Sequence, residues 1–96
     1  PYKHPKSTHV YHIFNIRTEK RDKLASYLNS KGIGTSIHYP IPPHLQEAYK
    51  NLKYKEGDFP ISEKLAKTSL SLPLFPGMTT DQVEFVVKSI KSFFNE

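Results

Sequence analysis

The chain has 96 residues, enough for one domain with a modest core. It contains no Cys, which excludes disulfides and thiolate sites, and no apolar run approaches the length of a membrane-spanning helix. A formal net charge of +5 favours an anionic partner, but the cations are interspersed with acids, as in Glu19-Lys20-Arg21-Asp22-Lys23, the pattern of a solvated surface.

Residues 1–8 read as a linker or entering segment, and residues 9–96 as one domain. The chain opens on Pro1 rather than Met, the expectation for a piece of a longer protein. Residues 9–17, HVYHIFNIR, carry apolar members on both faces, which predicts an interior strand with His12 in the core. Thr18 is placed to cap the following helix, with Asp22 at its positive end. Leu24, Ala25, Tyr27 and Leu28 recur at helical spacing and predict one buried stripe, which Lys31-Gly32 terminates.

Residues 34–39 read as a second strand, stopped by Pro40, Pro42 and Pro43 because proline cannot donate to a ladder. A short helix is predicted over residues 43–52, turning Leu45, Ala48, Tyr49 and Leu52 inward, followed by a polar turn containing Gly57. Asp58 precedes Pro60 as an N-cap would, and the next helix should bury Leu65 and Ala66. Alternation of Leu70, Leu72 and Leu74 predicts a third strand, held to a sheet edge or a bulge by Pro73. Thr79-Thr80-Asp81-Gln82 has the pattern of a capping box, opening a last helix with the stripe Val83, Val86, Val87, Ile90, Phe93 and Phe94. Strands alternating with helices predict an α/β (α+β) domain: a sheet of about three strands with helices packed on it.

Several kinds of chemistry are disfavoured. His9 and His12 stand an odd number of residues apart on the expected strand, so their side chains diverge and cannot chelate one ion. His38 and His44 have no nearby Cys or carboxylate to complete a tetrahedral metal site. Gly32-Ile33-Gly34 follows a helix instead of opening one, so it suits a chain reversal better than a phosphate cradle. No G-x-S-x-G turn frames any serine. The run Tyr49-Lys50-Asn51-Leu52-Lys53-Tyr54-Lys55 interleaves aromatics with cations and keeps a stand-alone RNA- or polyanion-binding module as the alternative, although the aromatic RNP1 signature is missing.

Four blocks carry a resemblance that runs along the whole chain: HVYHIFNIRT, then KRDKLASYLNSKGIGTSIHYPIPPHLQEAY, YKEGDFPISEKLAKTSLSLPLFPGMT and DQVEFVVKSIKSFF. Their order and spacing resemble the C-terminal small domain of the DegT/DnrJ/EryC1/StrS family of sugar aminotransferases. IHYPIPPHLQ is most similar to members that aminate thymidine-diphosphate-linked keto-deoxysugars. The resemblance implies a cytoplasmic, homodimeric pyridoxal-phosphate enzyme of the aspartate-aminotransferase fold type. Such an enzyme passes an amino group from an amino-acid donor, commonly glutamate, to the ketone of a nucleotide-linked sugar. In that family the Schiff-base lysine and the phosphate-binding loop belong to the large domain of the same chain. Neither motif is present here, so this segment alone is expected to be inactive and to bind no cofactor.

The proline-rich stretch then gains a purpose. Each proline fixes its own φ and pushes the preceding residue to extended backbone, so the segment is ordered at low entropic cost. Two imidazoles and a phenol on it can hydrogen-bond sugar hydroxyls, a ketone oxygen or a diphosphate. By the resemblance, His38, Tyr39 and His44 are the expected substrate-binding residues.

Overall fold

The computed structural model describes residues 2–95; Pro1 and Glu96, the outer ends of the two expected segments, lie outside the described residues. The elements run in the order strand β1 (Phe14–Arg17), helix α1 (Arg21–Ser30), 3-10 turns at Pro43–Leu45 and Glu47–Leu52, helix α2 (Pro60–Thr68), strand β2 (Ser69–Leu72) and helix α3 (Thr80–Asn95).

Leu24 and Leu28 sit four residues apart on α1 and both are fully buried. They meet Leu70 from β2 and Val86 from α3, with Ile33 closing the cluster. Ile33 reaches it because α1 ends as the sequence implies: Gly32 takes φ +80, a conformation that favours glycine, and the Ile33 amide returns to the Leu28 carbonyl at 2.9 Å. Thr18 shapes the entry to α1, its hydroxyl accepting from the Lys20 amide at 3.1 Å, but the cap position itself is Lys20. The capping box at α3 forms in full. The Gln82 amide donates to the Thr79 hydroxyl at 3.2 Å, and the Thr79 amide donates to Gln82 Oε1 at 2.9 Å.

The sheet has two strands among the described residues, not the three expected. β1 and β2 run antiparallel with Phe14 opposite Leu72 and Ile16 opposite Leu70. The expected strand over residues 34–39 contracts to one bridge, in which Ser36 and Ser71 exchange hydrogen bonds of 3.1 and 2.7 Å. A ladder has no room to grow there, because Pro40 restricts Tyr39 and offers no donor. The expected first strand is also shorter. Its leading residues are irregular and exposed, His12 included, and the Tyr11 amide donates to His9 Nδ1 at 2.8 Å in place of a strand partner. β2 stops at Leu72, directly before Pro73.

Three further expectations are corrected. The helix over residues 43–52 is two 3-10 turns separated by an extended Gln46, and Leu45, Ala48, Tyr49 and Leu52 are exposed rather than inward. The N-cap of α2 is Phe59, while the Asp58 carboxylate accepts from the Lys55 amide at 2.9 Å. On α2, Ala66 is buried but Leu65 is not; on α3, Val86 alone of the six stripe residues is buried, with Ile90 and Phe93 half-buried.

Three of the last four carbonyls of α2 are satisfied in turn. The Ser69 amide donates to Leu65 O, and the Thr18 amide donates to Thr68 O at 2.9 Å. The buried Arg21 guanidinium donates to Ala66 O at 2.9 Å and to Ser69 O at 3.1 Å. One cation therefore ties the start of α1 to the junction of α2 and β2.

Candidate functional site

The proline corner lies between α1 and α2. It leaves the core at the Ser36–Ser71 bridge, passes His38 and Tyr39 through a cis peptide bond, and folds into the first 3-10 turn. The His38 ring is anchored, with Nδ1 2.9 Å from Ser71 Oγ on β2. The ring is nevertheless exposed and has no second hydrogen-bond partner among the described residues. Tyr39 is 68% exposed and packs edge-on to His38 with ring centroids 5.3 Å apart. The two rings line a small cleft of about 170 Å³ with Ile41, Pro43, Ser62 and Leu65. An imidazole and a phenol are thus held together facing solvent, where both can hydrogen-bond a polar ligand.

His44 is placed differently. Its ring is buried, 4.9 Å from the ring of Phe59, and it lines a neighbouring apolar cavity of about 370 Å³ with Tyr49, Leu52 and Tyr54. Pro43 and Ser62 are common to the two cavities and form the wall between them. The three expected site residues therefore share one corner but not one cleft.

Glu63, which sequence reading did not single out, is the partner of His44. Its Oε2 lies 3.4 Å from His44 Nε2, and both side chains are buried. The same carboxylate accepts from the Gly57 amide at 2.9 and 3.0 Å and from the Phe59 amide at 3.3 Å. The Gly57 amide is the largest influence holding the Glu63 carboxyl below its ordinary value; burial opposes it, and the Phe59 amide and His44 assist. The available signal was an acid in the first turn after Pro60; its meeting with His44, nineteen positions back in sequence, is purely tertiary. Ser71 was overlooked for a similar reason, because it stands on the polar phase of the leucine alternation.

Among the described residues no group of three or more His, Cys, Asp or Glu side chains gathers. No described helix is long and apolar enough to cross a membrane. The described lysines are all exposed. A lysine that forms a Schiff base needs a desolvated or electrostatically tuned position, so these residues do not fit a covalently held pyridoxal phosphate on their own.

The chain matches the DegT/DnrJ/EryC1/StrS aminotransferase family over residues 1–91, and it belongs to that family. It is 46% identical over 86 residues to a protein of Geobacillus stearothermophilus described as a pleiotropic regulatory protein, covering 90% of this chain and 23% of that one. It is 39% identical over 93 residues to a Streptomyces venezuelae enzyme, dTDP-3-amino-3,4,6-trideoxy-alpha-D-glucose transaminase, the match taking in 97% of this chain and 24% of the relative. The solved structure of S. venezuelae DesV in complex with a ketimine intermediate superposes with a TM-score of 0.88 at 39% identity, covering 97% of this chain and 25% of that one. Other solved relatives hold the cofactor in its PLP and PMP forms. The chain spans about a quarter of the length of the curated relatives it matches.

Nothing in the fold supports the alternative of an RNA-binding module. Tyr49 and Tyr54 line a cavity with Leu52 and Phe59 and do not spread over a sheet face as stacking platforms do.

Proposed function

We propose that this chain is the C-terminal small domain of a pyridoxal-phosphate-dependent sugar aminotransferase, with residues 1–8 leading in and residues 9–96 forming the domain. The complete enzyme passes an amino group from an amino-acid donor, commonly glutamate, to the ketone of a nucleotide-linked deoxysugar. It works in the cytoplasm as a homodimer. The large domain of the same chain binds the cofactor, whose chemistry is to carry the amino group between donor and ketone. His38 and Tyr39 contact the sugar nucleotide at the mouth of the active site, and His44 supports them from behind.

The observation that carries this reading is the exposed imidazole–phenol pair, anchored to β2 through Ser71, within a chain of this family. A second feature agrees with it. Val10, Ile61 and Phe75 are exposed at 85%, 77% and 49%, apolar side chains that a neighbouring domain can cover. The large domain is the natural cover.

Replacing His38→Asn together with Tyr39→Phe in the complete enzyme tests the assignment. Loss of two substrate hydrogen bonds should lower kcat/KM for the sugar nucleotide by about 10–100-fold, while the half-reaction with the amino donor is unchanged. Unchanged kinetics toward the sugar nucleotide would remove the substrate role from this corner.

A further inference from the structure

We infer that Glu63 is a positioning residue: through His44 it fixes where the proline corner holds Tyr39. The segment from Ile41 to Gln46 is braced within itself. The Leu45 amide donates to Pro42 O at 3.0 Å, the Gln46 amide to Pro43 O at 3.2 Å, and Gln46 Nε2 to Ile41 O at 3.1 Å. With three prolines at positions 40, 42 and 43, it moves as a stiff unit.

The unit has two side-chain anchors, one on each side of Tyr39. Upstream, His38 is held by Ser71 on β2. Downstream, His44 is held against Phe59 and Glu63 at the start of α2. The downstream anchor has the features of a constrained joint. The Glu63 carboxylate is fixed by the Gly57 and Phe59 amides and cannot swing away to follow the ring. His44 Nε2 is buried and forms no well-aligned hydrogen bond, and the Glu63 carboxylate lies 3.4 Å away. Facing an ionised carboxylate, Nε2 has to carry a proton, because a lone pair there would be repelled. The contact therefore depends on a donor at that atom and an acceptor at Glu63, not on the bulk of an imidazole.

The kinetic part of the test rests on the functional reading above; the exchange part does not. Glu63→Ala and His44→Leu in the complete enzyme should each raise KM for the sugar nucleotide about tenfold with kcat changed less than about twofold, since a displaced positioning group costs binding geometry first. The double variant should be no worse than either single one, because both break one link. His44→Gln, which keeps an N–H donor, should recover most of the wild-type KM. In the ligand-free protein, hydrogen exchange over residues 39–46 should quicken about tenfold in Glu63→Ala with α1 still protected. If Glu63→Ala does not fold, His44→Leu carries the exchange test, because it leaves Glu63 bonded to Gly57 and Phe59 and removes only the Nε2 donor. Exchange that stays unchanged over the corner, KM effects that multiply in the double variant, or failure of His44→Gln to recover KM would each overturn the inference. If the exchange change appears while the His38/Tyr39 variant keeps wild-type kinetics, the functional reading falls and the mechanical link stands.

Discussion

Arg21 offers the sharpest test of how this fold is held together. It is a buried cation on the first turn of α1, and its guanidinium reaches two carbonyls from a segment 45 and 48 positions away, Ala66 at 2.9 Å and Ser69 at 3.1 Å. Its third contact, Asp22 at 2.6 Å, adds little, because the Asp22 side chain is 84% exposed and water competes for it. Replacing Arg21→Met keeps the aliphatic stem but leaves both carbonyls without donors. Each buried, charge-assisted bond is worth about 1.5–3 kcal/mol, and removing the desolvated charge returns part of that, so the net loss should be about 2–4 kcal/mol. With a urea m-value of roughly 1–2 kcal/mol/M for a domain of this size, the unfolding midpoint should drop by about 1–4 M. Arg21→Lys should lose about half as much, since the shorter lysine stem does not bring its ammonium to the place of Nη1, which serves both carbonyls. Urea unfolding followed by far-UV circular dichroism measures both. A loss below about 0.5 kcal/mol in Arg21→Met, or a lysine variant equal to wild type, would mean that water serves these carbonyls as well as the guanidinium does.

Thr79→Ala removes one half of the capping box at α3 and should cost about 1 kcal/mol, seen in thermal unfolding as a fall in Tm of roughly 4–8 °C. Acid stability should depend on Glu63. Its folded carboxyl is held below the ordinary 4.5, so the folded protein binds that proton more weakly than the unfolded chain. The resulting stabilisation is complete above that ordinary value and disappears as pH falls through the lower folded value. Stability measured between pH 6 and pH 3 should therefore decline more steeply in wild type than in Glu63→Gln; parallel curves would show that Glu63 is not the group involved.

Features set by neighbours in sequence were legible. The Thr79–Gln82 box, the left-handed Gly32 and the Leu24–Leu28 stripe each need only a few adjacent residues to specify them, and each appears as the residues imply. Features that depend on what lies across a gap were not. The expected second strand, residues 34–39, had the right residue types, but β2 offers it a single bridge before the prolines intervene. The α3 periodicity correctly found an apolar stripe without saying what covers it. Phe93 packs on Tyr27, with centroids 5.4 Å apart, whereas Val83, Val87 and Phe94 stay open to the outside of the domain. Helical spacing reports that a face is apolar; it carries no information on whether the cover belongs to the same domain.

The candidate site shows the same limit at closer range. Ser69-Leu70-Ser71-Leu72 reads as leucines inward and serines outward, and half of that is right: Leu70 is fully buried in the core. Yet Ser69 and Ser71 are buried too, at 3% and 6%, because the opposite face of β2 is also covered. Ser69 gives its carbonyl to Arg21, and Ser71 gives its hydroxyl to His38. Small polar residues suit that face for a physical reason. They let the proline corner approach the strand closely, and Ser71 still supplies the hydroxyl that holds the His38 ring. A leucine at position 71 would add apolar contact but take away the anchor of His38. What looked like the solvent side of an amphipathic strand is thus the floor on which the candidate site is built, and Ser71→Ala, which keeps the close approach while deleting the hydroxyl, separates the two roles: stability should change by about 1 kcal/mol or less, whereas the orientation of His38 should be lost.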